Sequence, residues 1–553
     1  MVKFSKDNYL IILFSIIYLA VGLYTYKDYG LGIEEHFQRS SGFYWLNYLL
    51  QFTNFENLQE ITQSKIFLIS QNTPYLPSVE GVRFYGIIFD VPAAFIEILL
   101  KFEDIKDYFY FRHLINFFIF YLSGVLFFII LKMRIKINLI CFIGFAIYLL
   151  SPRIYGNSFF DSKDLFFLSV FTITTFFYFN YERKKSFLNL LIFSLFCAIS
   201  TSSRIIGLVF PISFILIILL KLFDKDNIFK NLKILFLFIF FYLITLFVHW
   251  PYLWTLNIQE YLDFFNVFKS LTETTVFFNG EFYSNNFLPI SYLPLWILIS
   301  TPLFILFLFF CGIFYYLKRI FLRLISIKEN SISYDIWRSE NEKKDFFIFL
   351  ILIQILILYI NFKINLYGGW RIFLFLNFFI SYFASLGIYT FYLRIQNNYK
   401  LKILSIFFIS IFFIELIFKL YLYHPYQSVY FNNLTNEKTR KLFEIDTQSL
   451  SRVDALKFIV KNSPNKEKIK VGTASWTPLE NAKYFLSIED RNKLIFTGTT
   501  DLESADFIYT NYFYETDIRY NKKYDIPANF YLFKKLKLND TRIYSIYKNK
   551  STQ

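Results

Sequence analysis

The chain has 553 residues, of which 56% are hydrophobic and only 18% are charged, whereas soluble proteins carry about 25% charged residues. Its formal net charge is +15, but the basic residues cluster in short loops between apolar runs, which argues against a nucleic-acid partner. The 3 cysteines all lie within apolar segments, so neither a disulfide framework nor a cysteine-based metal site is indicated.

The apolar runs predict a polytopic α-helical protein of the cell membrane. Most have roughly 16 to 22 residues, enough for a helix to cross a hydrocarbon core of roughly 30 Å. About eleven such runs occur, near residues 8–26, 111–131, 137–151, 165–181, 187–202, 205–222, 233–249, 291–317, 345–362, 371–393 and 402–423.

The distribution of Lys and Arg between the loops predicts the orientation of these spans. With a cytoplasmic N-terminus, the loops on the cytoplasmic side are all rich in basic residues, at 131–136, 181–185, 221–233, 318–344 and 394–402. The opposite loops, where carboxylates are more common, are 27–110, 152–164, 203–204, 250–290 and 363–370. The C-terminal tail falls on this outer, extracytoplasmic side as well.

The first outer loop contains an apolar stretch at 84–102 that is interrupted by Asp90, Pro92 and Glu97. We interpret this stretch as an interfacial helix or helix pair on the membrane surface. It therefore belongs to the membrane domain without adding to the number of spans.

Composition changes near residue 440, which divides the chain into a membrane domain over 1–435 and a small soluble α/β domain over 440–553. The tail predicts helices in "SRVDALKFIVKNSP" and "PLENAKYFLS", and strands in "KIKVGTA", "NKLIFTGTT" and "DFIYTNY". It ends in a predicted hairpin that turns at Asn539-Asp540.

The least typical polar residues all fall on the predicted outer side, at the mouths of helices. They are Glu34, Glu35 and Gln38 in the first outer loop, Arg153, Asn157, Asp161, Lys163 and Asp164 in the second, Arg204 in the third and Arg371 at the end of the fifth. Polar side chains are costly near lipid and usually face an internal cavity. As a set, these residues indicate a site at the membrane–water boundary.

Each residue taken alone also has a structural explanation. Glu35 and Arg39 are spaced as an i,i+4 pair on a solvated helix, and Asp161 is suited to cap a helix N-terminus. Arg204 and Arg371 could direct their guanidinium groups to lipid head groups. The functional interpretation therefore depends on the whole set and its shared side.

Seven motifs resemble, in chain order, those of a known enzyme family: "EEHFQRSSG", "SPRIYGNSFFDSKD", "TSSRIIG", "WPYLW", "FFNGEFYSNNFLPISYLPLWILISTP", "YGGWRIFLF" and "HPYQSVYFNNL". Over roughly residues 8–435 the chain resembles the bacterial C-type integral-membrane glycosyltransferases, relatives of the protein O-mannosyltransferases and of the lipid A aminoarabinose transferases. Two positions depart from the family pattern. Glu34 stands where the family usually has Asp, and Asn157 stands where a histidine is common.

The resemblance implies that a sugar is transferred from a polyprenyl-phosphate donor to an acceptor hydroxyl on a lipid, a glycan or a protein, with inversion at the anomeric carbon. A carboxylate would act as general base, and Glu34 matches the family's catalytic position, with Glu35 supporting it. Arginine pairs bidentately with phosphate, so Arg204 and Arg371 are the candidate phosphate ligands, with Lys163 third.

By the same resemblance, Asp164 or Asp161 would orient the acceptor or the sugar, and Asn157, Arg153 and Gln38 complete the predicted substrate-binding set. A groove between the spans would hold the prenyl chain. A sugar nucleotide donor is disfavoured, because no cytoplasmic Asp-x-Asp or Gly-rich phosphate loop occurs. A divalent metal is compatible with the resemblance, but no ligand set is evident in the sequence and no cofactor is predicted.

The main alternative is a secondary transporter or a flippase for lipid-linked glycans, a class expected to have inverted repeats and polar residues at mid-membrane. A membrane scaffold that presents the C-terminal domain would leave the outer charges unexplained. The glycosyltransferase interpretation predicts that Glu34, Asp164, Arg204 and Arg371 line one outward cavity.

Overall fold

The computed structural model describes residues 8–72, 84–102, 104–222, 228–262, 273–325, 337–361 and 364–552. Within these ranges most residues are helical, and strands form a short hairpin and a C-terminal sheet. The helices before the C-terminal region form a bundle with several loop helices packed at one end.

The helices of this part are described in chain order. They are α1 (Asn8–Thr25), α2 (Glu35–Leu50), α3 (Glu56–Asn72), α4 (Asp90–Leu100), α5 (Ile105–Arg134), α6 (Asn138–Leu150), α7 (Pro152–Phe160), α8 (Asp164–Arg183), α9 (Phe187–Ser203), α10 (Val209–Leu222), α11 (Ile228–His249), α12 (Ile258–Leu262), α13 (Tyr292–Ser300), α14 (Leu303–Ile325), α15 (Glu340–Asn361), α16 (Leu376–Ile395) and α17 (Tyr399–Leu422). The hairpin of β1 (Thr275–Phe278) and β2 (Glu281–Ser284) lies between α12 and α13.

Within the described ranges, 7 helices are long and apolar enough to cross a membrane, and the bent pair α6 and α7 would make up to 8. The seven are α5, α11, α14, α15, α16, α17 and the Ile205–Leu222 segment that contains α10. Helices α1 and α9 are apolar but shorter. The chain is therefore a membrane protein. Each of the eleven predicted runs contains at least one helix, but a count of eleven spans is not confirmed.

Two predicted runs differ in detail from the structure. The run 291–317 is broken between α13 and α14, because Pro302 lacks the N–H that a continuous helix would need. The run 371–393 begins with a 3₁₀ turn over Arg371–Phe373, and α16 starts only at Leu376. Arg371 therefore lies in a turn at the mouth of a helix.

The loops meet in two groups at opposite ends of the bundle. At one end Arg134 donates to Asp345 at 2.8 Å, and Lys343 pairs with Glu182; these residues lie in or beside loops predicted to be cytoplasmic. Helix α8 connects the two ends. Glu182, near its C-terminus, lies at the end just described, and Asp164, at its N-terminus, lies at the opposite end, where the loops predicted to be outer meet. These contacts agree with the predicted grouping of the loops.

The first outer loop is folded around buried ion pairs. Arg39 on α2 donates from Nε and Nη2 to the carboxylate of Glu97 on α4, at 3.0 and 2.7 Å. The alternative explanation of Glu35 and Arg39 as an i,i+4 pair on a solvated helix does not hold, because α2 is buried and Glu35 contacts His113 on α5 instead. The described part of the stretch 84–102 forms one helix, α4, whereas its location at the membrane surface stays a prediction.

The C-terminal region contains α18 (Glu437–Arg440), α19 (Ser451–Lys461), α20 (Ile488–Lys493) and a five-stranded sheet. The strands β3 (Ile469–Thr473), β4 (Leu494–Gly498), β5 (Phe507–Thr510), β6 (Phe530–Leu538) and β7 (Thr541–Asn549) are arranged in the order β4-β3-β5-β7-β6. Strand β3 is parallel to β4 and β5, whereas β7 is antiparallel to β5 and β6.

The predicted elements of the tail are present, with one difference in type. The stretch "PLENAKYFLS" forms a 3₁₀ helix over Leu479–Phe485. The final hairpin turns at Asn539 and Asp540, whose φ values are 42° and 62°, as a two-residue type I′ turn requires.

One hydrophobic core connects the bundle with the C-terminal sheet. It includes Phe431 after α17, Phe443 in the connection, Leu456 on α19 and Tyr509 on β5. The continuous core packs the tail against the end of the bundle where the loops predicted to be outer meet. The division into two domains near 435–440 stays a prediction from composition.

Candidate active site

The loop that leads into α2 is held by packing and by a tight turn. Tyr29 stacks on Phe159 of α7 with ring centroids 4.1 Å apart. The backbone N–H of Gly32 donates to Oε2 of Glu35 at 2.7 Å. Glu34 is the residue immediately before the first turn of α2, so its carboxylate projects from a fixed position.

Glu34 is surrounded by cationic and phenolic groups. Arg371 donates from Nη2 to Oε1 of Glu34, the Tyr367 hydroxyl donates to the same oxygen at 3.3 Å, and Nζ of Lys163 lies 3.9 Å from Oε2. Burial raises the pKa of the Glu34 carboxyl, but Arg371 and Lys163 outweigh burial and lower the pKa to about 2. Glu34 is therefore ionised at physiological pH, and 23% of its side chain remains exposed.

Glu35 has a different environment. Nε2 of His113 lies 3.0 Å from its Oε1, while Oε2 accepts the hydrogen bond from Gly32. The side chain is only 4% exposed. Glu35 thus contributes to the turn and to the packing of α2 against α5, whereas the neighbouring Glu34 contacts the cations.

The short turn between α7 and α8 presents Asp161, Lys163 and Asp164. Oδ1 of Asp161 accepts from the backbone N–H of Asp164 at 2.8 Å, as a helix cap does, while its Oδ2 is buried without a hydrogen-bond partner among the described residues. Burial raises the pKa of Asp161 to about 6, against the opposing effect of Arg371. The ammonium of Lys163 lies 3.7 Å from the ring centroid of Tyr85.

Two arginines approach Asp164 from different elements. Nη2 of Arg204, at the end of α9, contacts Oδ1, and Nε of Arg371 lies 3.1 Å from Oδ2. Because Arg371 also contacts Glu34, the four side chains form one continuous series: Glu34, Arg371, Asp164 and Arg204. We call this series, together with Lys163, the ion-pair cluster. Both arginines are therefore directed to carboxylates of the protein.

The turn before α16 brings Arg371 to this position. Gly368 and Gly369 have φ values of 66° and 71°, a conformation that glycine adopts at little cost. Trp370 then donates from its indole N–H to Oγ of Ser300 at 2.8 Å, with the indole buried. In the motif "YGGWRIFLF", the two glycines thus form the turn, and the tryptophan fixes it to α13. This places the Arg371 side chain in the ion-pair cluster.

Arg153 differs from the other cations of the site. Its guanidinium lies 5.1 Å from the ring of Trp296, and Nη2 donates to the carbonyl of Tyr430 at 3.3 Å. Across the ranges that the structure describes, no carboxylate forms an ion pair with Arg153, and its Nε has no hydrogen-bond partner. A buried charge without a counter-ion is costly, so this environment favours an anion.

Arg153 and Arg371 line a common small cleft. Its other walls are formed by Asn157, Gly368, Leu374, Ser428, Ile445, Thr447 and Gln448. Nδ2 of Asn157 donates to the carbonyl of Arg153 at 2.8 Å, and its side-chain oxygen is buried and makes no hydrogen bond within the described ranges. The cleft therefore offers cations together with an unoccupied hydrogen-bond acceptor.

The sequence-predicted site residues are not all brought together. Gln38 is buried on α2 one turn beyond Glu34, and it belongs neither to the ion-pair cluster nor to the lining of the cleft. Sequence reasoning did not single out Tyr367, Thr447 or Gln448. Tyr367 begins a quoted motif and could have been included, whereas Thr447 and Gln448 carry no local signal.

The site residues that the structure describes do not fit a divalent metal. No group of three His, Cys, Asp or Glu side chains in the described part of the chain could share an ion. Arg371 and Lys163 lie beside Glu34, and Arg371 and Arg204 lie beside Asp164. A metal would have to displace these cations from the carboxylates.

Neither protein-family models nor curated proteins match this sequence. Among solved structures, the chain is similar to the crystal structure of ArnT from Cupriavidus metallidurans bound to undecaprenyl phosphate. The sequence identity is 10%, the TM-score is 0.46, and the similarity covers 98% of each chain.

Proposed function

We propose that this protein transfers a sugar from a polyprenyl-phosphate donor to an acceptor hydroxyl, on the extracytoplasmic side of the membrane and with inversion at the anomeric carbon. The observation that carries the proposal is the meeting of Glu34 with Arg371, Asp164 and Arg204 at one end of an apolar bundle. A carboxylate base next to several phosphate-binding cations is what such a reaction requires.

Glu34 is the proposed general base. It would accept the proton of the acceptor hydroxyl as the hydroxyl oxygen attacks the anomeric carbon. The bond between that carbon and the phosphate oxygen breaks in the same step, and the lipid phosphate leaves with the electron pair. Partial exposure of Glu34 supports this role, whereas the engagement of Glu35 with His113 argues against Glu35 as the base.

The phosphate of the donor is proposed to bind in the cleft. Arg153 has no carboxylate partner within the described ranges, so a phosphate would supply its missing counter-ion. Arg371 lines the same cleft and reaches Glu34 as well, which would hold the leaving phosphate next to the base. Lys163 would add positive charge, while Arg204 is proposed to hold Asp164 and to act on the phosphate less directly.

Asp161 is the proposed group for orienting the acceptor or the sugar. Its Oδ1 caps α8, and its Oδ2 makes no hydrogen bond within the described ranges. Asp164 is already contacted by two arginines and is therefore proposed to position them. The seven motifs support the assignment, because residues from six of them line the cleft, belong to the ion-pair cluster or contact Arg153.

The proposal is tested with the full-length protein, purified and reconstituted in lipid nanodiscs. A panel of radiolabelled polyprenyl-phosphate hexoses and pentoses is supplied with lipid, glycan or peptide acceptors, and with water alone. We expect one donor to release its lipid phosphate and to label one acceptor class. Movement of the labelled lipid between leaflets of proteoliposomes without sugar transfer would instead identify a flippase, and transfer from a sugar nucleotide would contradict the donor class.

A further inference from the structure

The segment 446–452 lies between the bundle and the C-terminal sheet, and hydrogen bonds attach it to the sheet; we call it the clamp segment. Asp446 caps α19 by accepting from the N–H groups of Leu450 and Ser451, at 3.0 and 3.1 Å. The carbonyl of Asp446 accepts from Nδ2 of Asn511 at 3.1 Å, just after β5. These hydrogen bonds attach the clamp segment to the C-terminal sheet.

The other side of the clamp segment contacts the loop that carries Glu34. Nη2 of Arg452 donates to the carbonyl of Leu31 at 2.8 Å, and the N–H of Ile33 donates to the carbonyl of Gln448 at 3.0 Å. At Gly30 the two chains come so close that an added Cβ would lie 2.4 Å from the carbonyl oxygen of Leu450. Hydrogen bonds at Leu31 and Ile33 thus hold the loop immediately before Glu34.

Arg452 connects three chain segments through backbone carbonyls. Besides Leu31, it donates from Nε to Ser449 at 2.9 Å and from Nη1 to Pro478 at 2.7 Å. The side chain is buried, and the planar guanidinium holds these three acceptors in a fixed geometry that a lysine cannot reproduce.

The clamp segment also reaches the cleft itself. Thr447 and Gln448 line it together with Arg153 and Arg371. An added Cβ at Gly368 would lie 3.5 Å from Oγ1 of Thr447, so the clamp segment packs closely on the turn that carries Arg371.

We propose that the clamp segment completes the site: Thr447 and Gln448 contact the substrate, and Arg452 is a positioning residue that holds the Leu31–Glu34 loop against Arg371. This inference rests on the proposed function for its catalytic part. It assigns the C-terminal region a direct part in the reaction, because a displaced loop would move the base from both Arg371 and the acceptor.

The test compares Arg452→Lys with Arg440→Lys in the full-length protein. Arg440 is the matched control, since it is also buried and also binds backbone carbonyls, those of Thr435 and Asn539, without contacting the Glu34 loop. Hydrogen exchange measured by mass spectrometry reports the loop directly. We expect faster exchange over residues 29–34 in Arg452→Lys and wild-type exchange there in Arg440→Lys.

Kinetics supply the functional readout. We expect Arg452→Lys to lower kcat by about 10- to 100-fold, as a misplaced catalytic group does, while KM for the donor changes less than threefold. Gln448→Ala keeps the backbone carbonyl that binds Ile33, so it should leave the exchange unchanged and raise KM for one substrate several-fold.

Wild-type exchange over 29–34 in Arg452→Lys, or equal acceleration in Arg440→Lys, would overturn the positioning role. An unchanged kcat in Arg452→Lys despite a loosened loop would overturn its catalytic consequence. If the wild-type protein transfers no sugar from any donor, the proposed function fails, and the exchange comparison still decides whether the clamp segment holds the loop.

Discussion

Arg371 donates a hydrogen bond from Nη2 to Oε1 of Glu34, across 337 residues of sequence. The same guanidinium lines the cleft in which we propose that the donor phosphate binds. Phosphate at Arg371 would neutralise the charge that keeps the pKa of Glu34 low, so donor binding would strengthen the base. A carboxylate held ionised in the free protein would thereby become a better proton acceptor when the donor is present.

The pH dependence of the reaction tests this relationship. Burial raises the pKa of Glu34, but Arg371 outweighs burial and lowers this pKa to about 2. As the proposed base, Glu34 must be ionised to accept a proton. Removing the positive charge in Arg371→Met should therefore raise this pKa, so that kcat/KM begins to fall at a higher pH as the solution is acidified. Arg371→Lys retains the charge and is the control.

The measurement is kcat/KM between pH 4 and pH 8 for both variants and the wild type, in constant ionic strength. An acid limb at the same pH in Arg371→Met and Arg371→Lys would show that Arg371 does not set the pKa of the base.

The second prediction concerns Arg153, which forms no ion pair with a carboxylate of the described residues. Arg153→Met should raise KM for the donor at least tenfold, because a charged hydrogen bond to phosphate is worth about 1.5–3 kcal/mol. It should leave the thermal midpoint of unfolding unchanged or higher, since a buried charge without a partner is removed.

Arg112→Met is the contrasting variant, because Arg112 pairs with the buried Asp90. That substitution leaves a carboxylate unpaired and should lower the unfolding midpoint. A lower midpoint in Arg153→Met with an unchanged donor KM would assign Arg153 a structural role.

The third prediction concerns the buried pair of Arg39 and Glu97 in the first outer loop, with side chains 8% and 2% exposed. Glu97→Leu should destabilise the protein by about 3–5 kcal/mol, because it leaves Arg39 charged and unpaired. Adding Arg39→Met should restore most of this loss. Unfolding of the single and double variants in the same detergent measures the difference, and additive losses would mean that the two side chains do not interact.

The helical part of the fold could be predicted because lipid imposes a strong rule on sequence: a span must be long and apolar. The rule does not locate breaks, and Pro302 divides one predicted run into α13 and α14. The hairpin of the tail could also be predicted from the sequence, because Asn539 and Asp540 readily adopt the positive φ values that its turn needs.

The roles of Glu34 and Glu35 could not be separated from the sequence. They are adjacent, and the partners that most distinguish them lie far along the chain, Arg371 for Glu34 and His113 for Glu35. The contact of Gln448 with the loop that carries Glu34 could not be predicted for the same reason. Its carbonyl meets Ile33 only because the C-terminal sheet packs onto the end of the bundle.

The most direct test of the account is single-turnover sugar transfer by Glu34→Gln and Glu35→Gln, with saturating polyprenyl-phosphate donor and acceptor. Glu34→Gln should slow transfer by about 100-fold or more, the contribution of a general base, while donor binding persists. Glu35→Gln keeps a side-chain oxygen for Gly32 and should stay within about tenfold of the wild type. Wild-type transfer by Glu34→Gln would contradict the assignment of the base.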